Sequence, residues 1–321
     1  MILLTGDNNT LSNIAYKINN PRGLSSNAVY QIYPDKEGII WIGTFGGGIN
    51  VLNPQKKQFS HYTQVIPGQN GLSHKSVLCF CEDENNILWI GTDGGGLNRF
   101  DRKTGKFFAF RHNPSDNRSL SSNVVTSVYR DRKGNLWVGT YNGGLNLFDR
   151  KKESFVNYRN NPADTTSLIN NNVWVIHEDK ENNLWIGTLG GLELFDRVSK
   201  TFRHIPRTII NNRIFPTKVV SILEDKNGKI WIGGIGIAIF DKQQKNFMLP
   251  KALTGNWITC QITIFAIFMK GPTTKYGSVP KVVVYIGTTH KPVMLSFILK
   301  RMVCPMMPSI RYCQTNGVNC G

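Results

Sequence analysis

The stretch LWVGTYNGGLNLFDR, residues 136–150, decides the fold. Leu136 to Thr140 reads as a strand rich in aliphatic, aromatic and β-branched residues. Asn142 and Gly143 supply the positive-φ residues of a tight turn, and Leu145 to Phe148 returns as a second strand. Working outward, Val124 to Tyr129 is an inner strand. Asp131 to Gly134 is a hairpin turn, in which a short Asp side chain can bond nearby backbone N–H groups. Ser154 to Tyr158 closes the unit as an outer strand. One unit therefore holds four antiparallel strands.

The unit recurs. WIGTFGGG begins at 41, WIGTDGGG at 89, WVGTYNGG at 137, WIGTLGGL at 185 and WIGGIGIA at 231, with spacings of 48, 48, 48 and 46. Self-similarity at this period marks a repeat architecture. Four antiparallel strands in about 48 residues is the size of a propeller blade. A β-solenoid would need shorter coils and fewer hairpins. The fold class is all-β, a β-propeller of four-stranded antiparallel blades. About five and a half blades are in register, an incomplete ring. The repeat units lie near 23–62, 71–110, 119–158, 167–205 and 213–247. Met1 to Tyr16 overlies the third and outer strands of a blade, so 1–22 is expected to end a preceding blade and the chain to be a piece of a larger protein. Unpaired edges and bare blade faces should make it sticky.

Bulk composition agrees. Thirty-one glycines and 11 % aromatics in 321 residues suit short strands and tight turns better than long helices. The net charge of +17 raises nucleic acid as a partner. Its distribution weakens that reading, and no nucleic-acid partner is expected. Residues 249–321 carry eight Lys or Arg and no Asp or Glu, leaving 30 basic against 21 acidic residues for 1–248. The same tail holds four of the six cysteines and five of the seven methionines. Cys79 and Cys81 are i, i+2 neighbours on one strand, a poor geometry for a disulfide. The N-terminus has neither a signal peptide pattern nor an apolar run long enough to span a membrane.

The pattern L-x-x-N-x-V followed by D-x-x-G-x-L-W-[IV]-G-T-x-x-G-G-L is carried by Leu120, Asn123, Val125, Asp131, Gly134, Leu136, Trp137, Val138, Gly139, Thr140, Gly143, Gly144 and Leu145. The chain thereby resembles the two-component regulator propeller repeat. The resemblance covers five units and departs in the fifth, where Gly234 replaces Thr and IGIA replaces GGGL. It implies the sensor region of a bacterial hybrid two-component regulator that responds to glycan fragments. The parent would be periplasmic and dimeric, with a second propeller and with membrane and kinase parts outside this chain. The implied partner is an oligosaccharide.

The repeat stops at the tail, where units should follow. A change of reading frame between residues 247 and 256 accounts for this, and methionine tests it because Met has a single codon. One base earlier, Met302 with Val303 gives Gly, Met306 with Met307 gives Asp, and Met307 with Pro308 gives Ala. The result, G-x-x-x-D-A, has the spacing of Gly23 to Ala28. With permitted codons, Lys275 to Val293 reads IWVGT, a variable residue, then GGGLYRYNPQTG. Residues 249–321 are accordingly expected to be a frameshifted tail and not a native domain.

In a repeat array, a residue present in every unit is explained most economically by folding, and function should sit where units differ. Trp41, Trp89, Trp137, Trp185 and Trp231 are expected to pack between blades. Asp35, Asp83, Asp131, Asp179 and Asp225 are expected to serve the first hairpin turn and not acid catalysis. The Gly triplets at 46–48 and 94–96 lack the Lys and helix of a phosphate cradle. His61, His74, His112, His177, His204 and His290 show no metal or triad spacing. No metal, cofactor or catalytic residue is expected, and the chain is read as a non-enzyme.

The loop between second and third strands shares a face with the connection between blades, and that face is variable. Position x of GTxG is Phe45, Asp93, Tyr141, Leu189 and Ile235, and Trp174 occupies an inner-strand position filled elsewhere by Tyr30, Leu78, Thr126 and Val220. Rings beside carboxylates or amides suit a sugar. Phe45, Asp93, Tyr141, Asn142 and Trp174 are the candidate ligand residues. The alternatives are a protein-interaction scaffold using the same face and, last, a propeller lyase or hydrolase.

Overall fold

The structure is a computed structural model. It describes residues 16, 20, 23–53, 59–64, 69–209, 214–234 and 236–249 with their side chains. Elsewhere it describes the backbone of certain strands. The chain divides into two compact units, Met1–Glu178 and Asp179–Gly321, and each is described by itself.

In the first unit, strands Val29–Pro34, Ile40–Thr44, Gly48–Asn53 and Gln58–Tyr62 form one antiparallel sheet in chain order. Val77–Glu82, Ile87–Thr92, Leu97–Asp101 and Lys106–Phe110 form the next. Val125–Arg130, Leu136–Thr140, Gly144–Asp149 and Ser154–Tyr158 form the third. These meander sheets are the first, second and third blades. The third blade's strands lie within one residue of the sequence reading.

The first blade's second strand has a Gly at 43, and the following blades have Gly91 and Gly139 in the same place. The inner strand of the next blade packs there: a Cβ at Gly139 would lie 2.7 Å from Val173 Cγ1. At Gly144 the constraint is conformational as well, since φ is 84° and a Cβ would collide with the Tyr158 carbonyl oxygen. Between blades the core is apolar. Trp41, Val77, Phe80 and Phe100 share one cluster, and Trp89, Val125, Val128 and Phe148 share another. Each cluster draws on two successive blades, so neither blade could bury its face alone.

In the first three blades the inner strand begins with a β-bulge, located between Val29 and Gln31, Val77 and Cys79, and Val125 and Ser127. The unpaired residues are Tyr30, Leu78 and Thr126, three of the variable inner-strand positions. A bulge re-aims the side chain at that point, which explains why this position tolerates such different residues. Cys79 and Cys81 are both free thiols. Burial pushes the Cys81 thiol up to about 12, and Cys79 also lies far above the ordinary range for the same reason.

Inner strand Val173–Glu178 lies in the first unit; the fourth blade's other strands are Leu184–Thr188, Gly191–Phe195 and Phe202–His204. The fifth blade comprises Ser221–Glu224, Ile230–Gly234, Gly236–Asp241 and Asn246–Met248. A short hairpin, Thr208–Ile210 with Arg213–Phe215, is inserted before it. Where Gly234 replaces Thr, it pairs with Gly236 at the end of the ladder.

Strands Ile2–Thr5 and Thr10–Asn13 pair as an antiparallel hairpin. In the tail, Thr263–Met269, Lys281–Thr288 and Lys291–Ile298 form a three-stranded sheet, not the four-stranded unit of the repeat, and Thr273–Thr274 pairs with Gly277–Ser278. The expectation of a frameshifted tail over 249–321 falls, after its first residue, outside the residues described with their side chains. No helix long and apolar enough to cross a membrane occurs among the described residues.

Candidate functional site

At one end of the blades, the turn between first and second strands is built around an aspartate. Asp35 Oδ1 accepts the backbone N–H groups of Glu37 at 3.0 Å and Ile39 at 2.9 Å. Its Oδ2 accepts the Trp41 indole N–H at 2.8 Å. The indole bond repeats from Trp89 to Asp83, Trp137 to Asp131, Trp185 to Asp179 and Trp231 to Asp225, at 2.8 to 3.0 Å. The turn reading of these acids was therefore incomplete. One oxygen closes the turn, and the other fixes the tryptophan.

A cation from the following blade completes the arrangement. Arg102 Nη1 reaches Asp35 Oδ2 at 2.9 Å, Arg150 Nη1 reaches Asp83 Oδ2 at 2.7 Å and Lys242 Nζ reaches Asp179 Oδ2 at 3.2 Å. Arg102 also bonds Glu82 at 2.5 Å, and Lys242 also meets Glu224 at 3.0 Å and Glu181. For Asp83, burial alone would raise the carboxyl, but the Arg150 guanidinium, the Trp89 indole and the Glu84 N–H more than offset it and hold it below the usual range. Asp179 is lowered in the same way, against burial, by Asn183, Trp185 and Lys242.

Trp41, Trp89, Trp137 and Trp185 are all at most 4 % exposed, whereas Trp231 is half-buried. Trp41 meets Phe100 of the next blade edge-on at 6.0 Å, Trp89 meets Phe148 at 5.3 Å and Trp185 meets Phe240 at 5.7 Å. Trp41 with Asp35, Trp89 with Asp83 and Trp185 with Asp179 are thus joined to the next blade by a ring and a cation, an arrangement that holds blades together.

The opposite end carries the variable residues. The backbone N–H of Phe45 bonds Ala28 O at 2.8 Å, that of Asp93 bonds Ser76 O at 3.0 Å and that of Tyr141 bonds Val124 O at 3.0 Å. Each is thereby anchored beside the start of its blade's inner strand while its side chain is free to vary. Phe45 is 49 % exposed and lies 5.9 Å from Tyr30, itself 47 % exposed. Tyr141 is 41 % exposed and lies edge-on to Trp174 at 6.4 Å. The Trp174 indole N–H is buried without a hydrogen-bond acceptor. Asn142 takes a left-handed φ of 61°, receives no strain penalty comparable to that of a branched residue, and donates its N–H to Asn172 at 3.0 Å. Asp93, half-buried, belongs to the intervening blade.

The structure therefore brings exposed Phe45 to exposed Tyr30 and exposed Tyr141 to part-buried Trp174 as two aromatic pairs, with Asp93 on the blade between them. Sequence reasoning named Phe45, Tyr141 and Trp174 but only noted Tyr30 as a comparison residue. Ile235, the fifth-blade counterpart, lies outside the described residues. No group of three or more His, Cys, Asp or Glu side chains placed to hold a metal occurs among the described residues.

Repeated four-stranded sheets clasped through an aromatic and an ion pair define a β-propeller built from sequence repeats. The family is the two-component regulator propeller: its profile matches residues 23–46, 71–94, 119–142, 167–190 and 213–236, and this chain carries five of its repeats. No curated protein sequence matches the chain.

Among solved structures, the extracellular domain of the hybrid two-component system BT3049 of B. thetaiotaomicron superposes with a TM-score of 0.66 at 24 % identity, over 89 % of this chain and 36 % of that one. The extracellular domain of the one-component system BT4673 of the same organism gives 0.59 at 21 % identity, over 84 % and 33 %. PorZ, a surface component of the type-IX secretion system of Porphyromonas gingivalis, gives 0.56 at 14 % identity, over 84 % and 38 %. At these identities the likeness is one of fold. The chain spans about a third of the length of these relatives.

Proposed function

We propose that this propeller is the ligand-sensing part of a periplasmic two-component sensor, that it recognises an oligosaccharide, and that it acts by binding and not by catalysis. The observation that carries the reading is the two aromatic couples at the positions where the blades differ, Tyr30 with Phe45, both exposed, and exposed Tyr141 with part-buried Trp174. A sugar presents a C–H face to such rings and hydroxyls to groups such as Asp93 and Asn142. The orphan Trp174 N–H belongs to the same end, and an unsatisfied polar group of this kind calls for an explanation beyond packing. The extracellular relatives support the placement outside the cytoplasm. The rest of the sensor, including a second propeller, dimer contacts, membrane and kinase parts, would lie beyond this chain. Residues 1–248 are the propeller portion, and residues 249–321 are the product of a changed frame.

The test is a thermal-shift panel of neutral and acidic oligosaccharides. A ligand at a hundred times its Kd stabilises the folded state by about 2.7 kcal/mol, so a hit is read as a rise in Tm. The rise should vanish in Phe45→Ala and Tyr141→Ala. Turnover of any glycan in the panel would overturn the non-catalytic reading, and a rise unaffected by both substitutions would move the site elsewhere.

A further inference from the structure

A second site emerges from positions where the second and third blades depart from the repeat, at the end of the blades opposite the aromatic pairs. A cleft of about 980 Å³ opens there between them. Six cationic side chains and only three carboxylates line it.

Four of the six cations, Arg99, Lys106, Arg130 and Lys133, occupy places where other blades have none, whereas Arg132 and Arg150 have counterparts such as Lys36 and Arg102. Across each second and third strand, the motif tryptophan faces one residue. Trp41 faces Val51, Trp137 faces Leu147, Trp185 faces Leu194 and Trp231 faces Ile239, but Trp89 faces Arg99. Arg99 in turn faces Phe108 on the outer strand, where the first and third blades have Ser60 and Val156. At the end of the inner strand Arg130 pairs with Leu136, whereas the second and fifth blades put Glu82 and Glu224 at this place. Lys133 stands in the turn where the first and fourth blades have Glu37 and Glu181, and Lys106 where the third has Ser154. All five departures, Arg99, Lys106, Phe108, Arg130 and Lys133, line the one cleft. A folding role is met in the other blades without them.

The geometry of these groups favours a particular chemistry. The Arg99 guanidinium lies 5.2 Å from the centre of the Phe108 ring, and that ring is 48 % exposed. Arg99 holds Glu153 at 2.7 Å in a half-exposed pair, the kind that is worth little and exchanges readily. Arg130 is engaged with Asp83 at 2.9 Å and with Glu84, which leaves Lys106 and Lys133 exposed at the rim. An apolar ring face, guanidinium and ammonium donors, and the Asp101 carboxylate as acceptor sit within one cleft. Hydroxyls both donate and accept, and carboxylates or sulfates pair with the cations.

We propose that this cleft binds a short acidic oligosaccharide, carrying uronate or sulfate groups, through Arg99, Lys106, Lys133 and the face of Phe108. The site is separate from the aromatic pairs at the other end and does not depend on them. An acidic peptide offers carboxylates but few hydroxyl donors for Asp101, and so fits less well.

Calorimetric titration of the full chain with tetragalacturonate, a neutral galactan tetrasaccharide and tetraglutamate tests the proposal. Tetragalacturonate is expected to bind, to weaken with added salt because the contacts are charge pairs, and to exceed both comparators. Arg99→Leu with Lys106→Ser installs the third blade's own residues, so folding should survive with an unchanged Tm. Binding should fall roughly tenfold or more, as loss of charge-assisted contacts implies. Phe45→Ala and Tyr141→Ala, which test the other end, should leave it intact. No binding of tetragalacturonate, equal binding of the neutral sugar, equal binding of tetraglutamate, or binding unmoved by the double substitution would each overturn the proposal. Salt dependence of the unaltered chain gives a readout that needs no variant to fold.

Discussion

The two ends of the blades are built on opposite principles. At one, Asp35, Asp83, Asp131, Asp179 and Asp225 each accept an indole N–H, and three of them are shown paired with a cation of the next blade. At the other, Phe45, Asp93, Tyr141 and Leu189 occupy equivalent places and share only a backbone bond or a turn. Sameness reports what every blade needs in order to stack, and difference marks where a ligand can be read. The basic cleft refines this, because it shows the uniform end also departing from its own rule between one pair of blades.

The comparison breaks most visibly if an aspartate is removed. Asp83→Ala would leave the buried Trp89 N–H without its acceptor and the exposed Arg150 without its partner. A buried donor left unsatisfied costs about 1–3 kcal/mol, and the lost bond from the Glu84 N–H adds to it. Urea unfolding should show that loss in the midpoint with little change in slope. A loss under about 1 kcal/mol would place the aspartate among ordinary turn residues, whose caps contribute about that much.

How much of this was legible in the sequence follows from distance along the chain. The strands, turns and Trp period are local, and reading them placed the third blade's strands within a residue. The aspartate's turn was legible for the same reason. The cation that completes it was not: Arg102 stands 67 residues from Asp35, and Lys242 stands 63 from Asp179. A signal existed in the recurrence of Asp-Arg at 101–102, 149–150 and 196–197 and of Asp-Lys at 241–242. Nothing in a single sequence says that such a residue points backward to the preceding blade. The bulge that frees Tyr30 and Thr126 was equally hidden, since a shift of register leaves no mark on composition. The cleft required both kinds of information, the alignment of repeats and the knowledge that Arg99, Arg130 and Lys133 converge.

Gly144→Ala is expected to cost about 1–3 kcal/mol, the range for a residue held in a sparsely populated backbone region, with the collision against Tyr158 O adding to it. Gly134 has a similar φ of 82° but an added Cβ there meets no backbone atom, so Gly134→Ala should cost less. Paired denaturation curves would separate close approach from conformation, and equal losses would assign the whole effect to φ.

Trp231 sharpens the comparison in another way. It keeps the indole bond to Asp225 but is half-buried, unlike its four counterparts. If the tail is a translation of the wrong frame, restoring the frame between residues 247 and 256 supplies a further blade. Tryptophan emission should then shift to shorter wavelength, and the gene should read on through the Gly, Asp and Ala codons described above. An unbroken frame in an independently sequenced gene would end that account.

Acid should weaken the uniform end first. The Asp83 and Asp179 carboxyls are held below their unfolded values, so their contribution is present above the ordinary carboxylate pKa, about 3.9. It is lost as pH falls through the lower folded values, because the unfolded chain takes up protons first. Unfolding midpoints measured from pH 6 downward should therefore decline below about pH 4. Asp83→Asn should flatten that decline, and a decline unchanged in this variant would assign it to other carboxylates.

The smallest effect on stability is expected at the variable end. Tyr141→Ala removes a ring that is 41 % exposed and touches Trp174 edge-on. Surface substitutions of this kind usually stay within about 0.5 kcal/mol, although an aromatic pair can contribute about 0.5–1.5 kcal/mol beyond area. A change at the lower end, with ligand binding abolished, would assign the ring to recognition. A loss near that of Asp83→Ala would make the pair with Trp174 a second clasp between blades, and the division between uniform and variable ends would fail at the third blade.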